Sequence, residues 1–187
     1  MFPLNLPSYS FKTKKTTDGK TLIFDRLRNK YVALTPEEYV RQNFVEFLIQ
    51  EKKYPASLIA NEISITYNGL KKRCDTLVYK RNGTIGMIIE YKAPHIDISQ
   101  KTFDQLAVYN LKLNVNKFIV TNGLTHYCGE IDAQNASYRF FEEIPAYDEL
   151  ERRQNHALPP LLQDNTVIIT CISSLQPYPY RQLKMSR

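Results

Sequence analysis

Two acidic residues and a lysine lie in adjacent apolar segments of the stretch RCDTLVYKRNGTIGMIIEYKAP, residues 73–94. Asp75 belongs to the first apolar segment, Glu90 belongs to the second, and Lys92 follows two residues after Glu90. Charged groups are costly to bury unless they are paired or bind a metal ion. The stretch therefore raises the question of what three charges do in segments that otherwise predict buried strands.

The Asn-Gly pair at residues 82–83 predicts how the two segments pair. Asn-Gly between strand-like segments favours a two-residue hairpin turn. With that turn, Arg81 pairs with Thr84, and counting back along both strands sets Asp75 directly opposite Glu90. Facing residues of antiparallel strands have Cβ atoms about 4.5–5.5 Å apart. A one-residue bulge would shift this register and remove the opposition.

Asp75, Glu90 and Lys92 are expected on one face of the hairpin, because side chains alternate with a period of two. Two carboxylates at this separation repel each other, and a divalent cation such as Mg²⁺ or Mn²⁺ removes the repulsion. A neighbouring lysine can orient or deprotonate a water molecule, or stabilise charge on a phosphate. The pattern predicts metal-assisted attack on a phosphodiester. The alternative is an exposed sheet face on which Glu90 pairs with Lys92 or Arg73.

A helix is predicted to begin in the segment LTPEEYVRQNFVEFLIQEKK. Thr35 is the expected N-cap, Pro36 takes the first helical position, and Glu38 completes a capping box. The apolar residues that follow fall on one helical face; they are Val40, Phe44, Phe47 and Leu48. The segment therefore predicts an amphipathic helix that packs on a sheet.

The remaining segments predict a sheet with helices packed on it. Strand-like NEISITYNG precedes the hairpin, SQKTFDQLAVYNLKLN predicts a second helix, and KFIVTNG, LTHYCGEI and SYRFFEEI predict further strands. This order predicts an α/β or α+β fold. We divide the chain into basic N-terminal strands (residues 1–34), a core (35–150) and a tail with a possible edge strand, TVIITCISSL (151–187).

Composition limits the class of protein. The chain has 187 residues, of which 43% are hydrophobic and 24% are charged, as in an ordinary soluble globular protein. Its apolar runs are too short to cross a membrane and no secretory signal is visible, so we expect a cytoplasmic protein. Three cysteines without a CxxC pair suggest neither a disulfide framework nor a zinc site. The formal net charge of +6 permits a nucleic-acid partner without establishing one.

The spacing of Asp75, Glu90-Tyr91-Lys92 and the following helix resembles the PD-(D/E)xK nuclease superfamily. Gln105 and Tyr109 of QLAVY resemble the Q-h-x-x-Y motif of the branch that contains type I restriction endonuclease R subunits. KFIVTNG is similar to the strand that follows in the N-terminal domain of those subunits. The resemblance covers about residues 20–150, and it implies a restriction-endonuclease-like fold with a central mixed sheet flanked by helices.

The same resemblance implies a metal site for Mg²⁺ or Mn²⁺. Asp75 and Glu90 would be the ligands, together with the backbone carbonyl of Tyr91. Many members of the superfamily add an acid from the first helix, for which Glu46 is the candidate; the alternative for Glu46 is a solvated helix face. Glu62 is a second such candidate, with plain exposure at the start of a strand as its alternative.

The resemblance also implies DNA as the substrate. Lys92 would be the catalytic lysine, and Gln105 and Tyr109 would position DNA or the active site. His95 could contact a phosphate and lies close to Asp97, although a histidine in a loop after a strand is more often exposed to solvent. Six basic residues near the hairpin and the N-terminus are candidates for phosphate contacts, with a solvated basic surface as the alternative; they are Lys12, Lys14, Lys15, Lys71, Lys72 and Arg73.

One departure from the R subunit leaves an alternative open. The sequence has no GxxxxGK[ST] motif for ATP, so we expect no translocation by this chain alone. We expect either a metal-dependent DNA endonuclease of restriction type, or a catalytically weak or inactive nuclease-fold module that binds DNA or a restriction-system subunit. A homodimer is compatible with either.

Overall fold

The computed structural model describes residues 3–67, 70–113, 115–132 and 137–152. This description includes the backbone, but not the side chains, of residues 65–67, 70–72, 107–112 and 132. The predicted turn at residues 68–69, the predicted strand TVIITCISSL and the tail after it lie outside the described residues.

The described residues form two β-sheets, three α-helices and one short 3₁₀ turn at Ala56–Leu58. The strands are β1 (Thr13–Lys15), β2 (Thr21–Asp25), β3 (Lys30–Ala33), β4 (Ile59–Tyr67), β5 (Leu70–Tyr79), β6 (Ile85–Tyr91), β7 (Lys117–Thr121), β8 (His126–Asp132) and β9 (Ser137–Phe140). The helices are α1 (Pro36–Gln50), α2 (Gln100–Leu113) and α3 (Tyr147–Arg152). Within the described residues, no helix is long and apolar enough to cross a membrane.

The main sheet has six strands in the order β4-β5-β6-β7-β8-β9. Strands β6 and β7 run parallel, whereas every other neighbouring pair in this sheet is antiparallel. A parallel pair needs a crossover connection, which α2 supplies. The predicted α+β fold, with a central mixed sheet and flanking helices, is confirmed.

Two apolar layers cover the two faces of the main sheet. Alternate residues of β6 belong to different layers, because strand side chains point to opposite faces. Met87 and Ile89 pack in the layer that contains Phe44 of α1, whereas Ile88 packs in the layer that contains Leu106 of α2. The sheet is thus held between α1 and α2, and the end of β6 is buried on both sides.

Helix α1 begins where the sequence predicted. The Thr35 side chain accepts a hydrogen bond from the Glu38 N–H at 3.0 Å, and Pro36 is the first helical residue. The predicted apolar face is buried. The capping box is only half formed, because the Thr35 N–H donates to Ala33 O, and the Glu38 carboxylate binds other side chains.

Strands β1, β2 and β3 form a separate antiparallel sheet. Ile23 and Asp25 of β2 are fully buried, whereas β1 is exposed along its whole length. The turn between β2 and β3 contacts α1 through a salt bridge from Arg26 to Glu46. This sheet therefore lies against the start of the core, and the predicted division at residues 34 and 150 stays a prediction.

Candidate active site

The hairpin of β5 and β6 carries the acidic residues, and its turn differs from the predicted one. The Lys80 N–H donates to Thr84 O at 2.8 Å and the Gly83 N–H donates to Lys80 O at 2.9 Å, so the loop has three residues, 81–83. Gly83 has φ +82°, a conformation that glycine adopts without steric cost. The predicted pairing of Arg81 with Thr84 is therefore wrong.

A bulge farther along the hairpin restores the predicted register. The pairing shifts between Val78 and Tyr79, where Gly86 is the extra residue of β6. Beyond the bulge, Thr76 pairs with Ile89, as the two-residue turn had predicted. The register agrees because the longer loop and the bulge each shift it by one residue, in opposite directions.

Asp75 lies where β5 and β6 stop pairing. Its Oδ2 accepts a hydrogen bond from the Tyr91 N–H at 2.9 Å, and its Oδ1 accepts one from Arg41 Nη2 at 3.1 Å. A carboxylate thus takes the place of a strand carbonyl as the partner of Tyr91. On β4, the residue opposite Asp75 is Glu62, whose φ of +59° is in the left-handed region. Such a conformation costs about 1–3 kcal/mol in a residue other than glycine, which makes this point of the sheet irregular.

Glu90 is buried at the end of β6, with 4% of its surface exposed. Its Oε1 accepts hydrogen bonds from Lys92 Nζ at 2.7 Å and from Gln105 Nε2 of α2 at 3.2 Å. Burial and the nearby Asp75 carboxylate raise the Glu90 pKa to about 7, against the opposing effect of Lys92. The structure brings together the three residues predicted to cluster: the Asp75 charge acts on Glu90, and Lys92 binds Glu90. Gln105, which the resemblance implied as a positioning residue, also binds Glu90.

Arg41 is a further member of the cluster that sequence reasoning missed. Its Nη2 lies 2.9 Å from Glu62 Oε1 and 3.1 Å from Asp75 Oδ1, and its Nη1 binds the Glu38 carboxylate. Burial and the Asp75 charge also raise the pKa of Glu37, which lies beside this group. The available signal was the i, i+3 and i, i+4 spacing of the two glutamates with Arg41, which more often marks a solvated helix face.

Glu46 lies outside this cluster. Its two carboxylate oxygens are 3.1 and 3.2 Å from Arg26 Nη1, and Gln50 donates a further hydrogen bond at 2.8 Å. The residue is buried rather than solvated. The structure therefore gives Glu46 a role in joining α1 to the N-terminal sheet and does not bring it to Asp75 and Glu90.

The remaining predicted residues are spread around the cluster. Arg73 binds Glu62 at 2.5 Å. His95 and Asp97 are exposed in the loop after β6. Tyr109 is in α2, one turn beyond Gln105 as predicted, and its side chain lies outside the described residues. The side chains of residues 71–72 also lie outside them, so these phosphate contacts stay predictions.

The donors at Asp75 and Glu90 fit a divalent cation of the Mg²⁺ type. Such an ion binds through one or two carboxylates and keeps several waters, and the Tyr91 carbonyl adjoins Glu90 in the chain. No group of three His, Cys, Asp or Glu side chains in the described residues is arranged to hold a metal. Among the described residues, two carboxylates and a carbonyl would thus be the protein ligands, and water and substrate would supply further ones.

Two comparisons with known proteins give no information about the site. No curated protein matches the sequence. Among solved structures, the chain is similar to a candidate nuclease belonging to DUF820 from Anabaena variabilis ATCC 29413, at 12% identity and a TM-score of 0.37, over 85% of this chain and 94% of that chain. A likeness at this level carries no information about the site.

A family model gives the assignment. The model described as "Type I restriction enzyme R protein N terminus (HSDR_N)" matches residues 36–145, which is more than half of the chain. The match includes both acids of the cluster, as well as Lys92 and Gln105. The resemblance that the sequence motifs predicted is therefore confirmed, and the chain belongs to the family of type I restriction enzyme R protein N-terminal domains.

Proposed function

We propose that the protein is a Mg²⁺- or Mn²⁺-dependent DNA endonuclease of restriction type. The observation that carries this proposal is the buried Glu90 carboxylate, which is held by Lys92 and Gln105 and lies beside the second carboxylate, Asp75. A purely structural acid at this depth would be expected to have enough donors to offset its burial. The raised pKa of Glu90 shows that its donors do not offset burial and the Asp75 charge.

Each residue of the cluster has a separate task in this proposal. Asp75, Glu90 and the Tyr91 carbonyl would hold the cation. A bound Mg²⁺ polarises a phosphoryl oxygen and makes a coordinated water more acidic. Lys92 is 23% exposed, so its ammonium group can donate to the attacking water or to a phosphate oxygen while it stays close to Glu90. Gln105 fixes the orientation of the Glu90 carboxylate.

The charges around Asp75 support a second candidate. Arg41 binds Asp75 and Lys92 binds Glu90, so each acid already has a cationic partner within the chain. A protein in which these pairs persist would bind DNA or a restriction-system subunit without cutting. The same pairs are compatible with the nuclease proposal if the cation displaces Arg41 from one oxygen of Asp75.

The experiment is DNA cleavage by the purified protein with Mg²⁺ or Mn²⁺, on supercoiled, linear and single-stranded DNA. Lys92→Ala is the test variant, and Lys53→Ala is the matched control, since Lys53 is exposed at the end of α1. We expect Lys92→Ala to lose at least about 100-fold in rate, the range of general acid–base catalysis. Equal cleavage by the wild type and Lys92→Ala would overturn the nuclease proposal. DNA binding without a thermal shift on adding either metal would favour the second candidate.

The partners and location follow from the same proposal. DNA would be the substrate, restriction-system subunits would be the protein partners, and the cytoplasm would be the compartment where both are found. Co-purification of the tagged protein with a methyltransferase or specificity subunit from its own cells would support this assignment. Co-purification with neither would leave a nuclease that acts alone.

A further inference from the structure

Within residues 1–152 the net positive charge lies at the N-terminus, and residues 153–187 add four Lys or Arg against one Asp. Residues 1–34 contain seven Lys or Arg against two Asp, a formal charge of +5, whereas residues 35–152 contain fourteen Lys or Arg against sixteen Asp or Glu. The core that holds the candidate site is thus slightly acidic. An acidic site alone repels DNA, so the affinity for a polyanion must come from another surface.

The basic residues of the N-terminal sheet belong to two groups. The arginines of the β2–β3 turn are paired with carboxylates: the half-exposed Arg26 binds Glu46, and Arg28 binds both Asp25 and Glu38 at 2.5 and 2.6 Å. These arginines fasten the sheet to α1 and are already paired. They are therefore not available to a ligand.

The lysines of the same sheet form the second group and face solvent. Lys14 pairs across the sheet with Leu22, and its ammonium group lies 4.1 Å from the centre of the Tyr31 ring. Lys12 lies opposite Phe24 at the start of β1, and the Phe24 and Tyr31 rings are in contact. Because side chains alternate, these residues share the outer face of the sheet, opposite the buried face.

No carboxylate in the described part of the chain forms a salt bridge with the lysines on or beside β1. These lysines are Lys12, Lys14 and Lys15, and all three are exposed. Among the described residues β1 pairs only with β2, so it is an edge strand. Lys12 and Lys14 lie beside the aromatic rings on the outer face, whereas Lys15, opposite Thr21, is exposed on the other face of the same edge. The outer face and the β1 edge together present these three ammonium groups.

We propose that this surface, Lys12, Lys14 and Lys15 with Tyr31, holds the phosphodiester backbone of the DNA that the candidate site cuts. The proposal rests on the nuclease function only for the identity of the ligand as DNA. Ammonium groups bind phosphate as point charges and need no fixed geometry. The Tyr31 ring attracts the Lys14 ammonium group but carries no negative charge to neutralise it, so the ammonium group can still attract a phosphate.

The sheet is connected to the site by a chain of ion pairs. Arg28 binds Glu38, Glu38 binds Arg41, and Arg41 binds Asp75. DNA held on the lysines would thus lie on an element fixed to the carboxylates rather than on a loose tail. This connection fixes the sheet that carries the lysines to the helix that supplies Arg41 to the site.

Lysines on an edge strand have another established use, since they prevent edge-to-edge aggregation. The two roles predict different results. Lysines that only protect the edge would leave DNA affinity unchanged when they are replaced, and the variant would self-associate.

The test is binding of a short fluorescein-labelled DNA duplex in EDTA, measured by anisotropy over a range of salt concentrations. The triple variant Lys12→Gln, Lys14→Gln, Lys15→Gln is compared with Lys53→Gln, Arg81→Gln, Arg152→Gln. This control also loses three positive charges, and its residues are exposed after α1, in the β5–β6 turn and in α3, outside the N-terminal sheet. Size-exclusion chromatography of both variants reports self-association.

We expect the β1 variant to bind the duplex at least about tenfold more weakly, and its salt slope to fall by about 0.9 for each phosphate that the variant no longer binds. The control should keep the wild-type slope. Equal weakening in both variants would overturn the proposal, as would no DNA binding by the wild type, tighter binding of an RNA duplex, or self-association with unchanged affinity.

The same data separate this proposal from the nuclease function. A protein that binds DNA through β1 but does not cut it with Mg²⁺ contradicts the nuclease alone. A nuclease whose β1 variant keeps the wild-type KM and salt slope contradicts the DNA-binding surface alone.

Discussion

Two buried carboxylates on neighbouring parts of the fold have opposite environments. Asp25, at the end of β2, is fully buried and accepts hydrogen bonds from the backbone N–H groups of Leu27 and Arg28, and from the side chains of Arg28 and Asn61. Glu90, at the end of β6, is 4% exposed, and among the described residues its carboxylate has only Lys92 and Gln105 as hydrogen-bond donors.

The pKa values of the two acids differ in direction. Burial opposes ionisation of Asp25, but the hydrogen bonds of Arg28 and Asn61 outweigh it and lower the Asp25 pKa. Burial and the Asp75 charge raise the Glu90 pKa to about 7. The comparison teaches that burial alone does not mark a functional acid. A second acid nearby and too few donors distinguish the candidate site from a structural ion pair.

The largest expected difference between the two acids is in catalysis. Glu90→Gln should lower the Mg²⁺-dependent cleavage rate by at least about 100-fold, because the amide keeps the shape of the side chain and loses the charge that holds a cation. Asp25→Asn should keep most of the wild-type rate at a temperature where it is folded. Single-turnover cleavage of plasmid DNA measures both. A larger loss for Asp25→Asn than for Glu90→Gln would reverse the assignment.

The two acids should also differ in what they contribute to folding. Asp25→Asn should lower the free energy of unfolding by about 2–4 kcal/mol, because it leaves the partly buried Arg28 charge and several donors to the buried Asp25 position poorly matched. Glu90→Gln should not destabilise the metal-free protein at pH 8. Urea denaturation in EDTA gives both values. A loss of similar size in Glu90→Gln would mean that Glu90 is an ordinary structural ion pair.

Stability should depend on pH in opposite directions at the two sites. The folded-state pKa of Glu90 lies above the ordinary 4.5, so the folded protein holds its proton more tightly, and stability falls as pH rises from 4.5 through 7. The lowered pKa of Asp25 stabilises the folded protein above pH 3.8, the ordinary pKa of this group. This stabilisation is lost as the pH falls below that value.

This difference is measurable in the metal-free protein. Glu90→Gln should gain about 1–3 kcal/mol over wild type at pH 8 and nothing at pH 4, since one pKa unit corresponds to about 1.4 kcal/mol. Asp25→Asn should show the same loss at pH 8 and pH 5. A gain for Glu90→Gln that does not vary with pH would show that burial and the Asp75 charge do not act on Glu90 as described.

The smallest expected effect on cleavage is that of replacing Gln105. This residue is exposed and donates a hydrogen bond to Glu90 at 3.2 Å. Gln105→Ala should slow cleavage only several-fold and change the free energy of unfolding by less than about 0.5 kcal/mol, as for most surface substitutions. Gln105→Glu is a matched variant that adds a third carboxylate beside Asp75 and Glu90, and it should slow cleavage more than Gln105→Ala does. If Gln105→Ala destabilises the fold instead, the residue serves packing of α2.

Much of the fold could be predicted from local sequence patterns. The cap at Thr35, the apolar face of α1 and the alternation along β6 depend on neighbours in sequence, and the structure has each of them where predicted. The grouping of Asp75 with Glu90 was also predicted from the sequence. The two-residue turn on which that prediction was based is absent from the structure. Asn82-Gly83 is compatible with loops of two or three residues, and nothing in the sequence marked the compensating bulge at Gly86.

The sequence did not predict the roles of Glu46 and Arg41, because both depend on contacts between segments that are distant in the chain. Glu46 lies off the apolar face of α1, a position that predicts either a metal ligand or a solvated side chain. Its actual partner, Arg26, is twenty residues away in the chain, so no local pattern indicates the pair. Arg41 gathers carboxylates from α1, β4 and β5, a set that no local spacing reveals. Sequence patterns thus predicted which acids come together better than they predicted which cations bind those acids.

The most direct test of the account is the anomalous scattering of Mn²⁺ in crystals of the protein, with Glu90→Gln crystals as the control. We expect a peak between Asp75 and Glu90 in the wild type, with Arg41 withdrawn from at least one Asp75 oxygen, and no peak in the variant. Wild-type crystals that bind Mn²⁺ elsewhere, or bind none while Arg41 and Lys92 remain on the two carboxylates, would contradict the metal-dependent nuclease site.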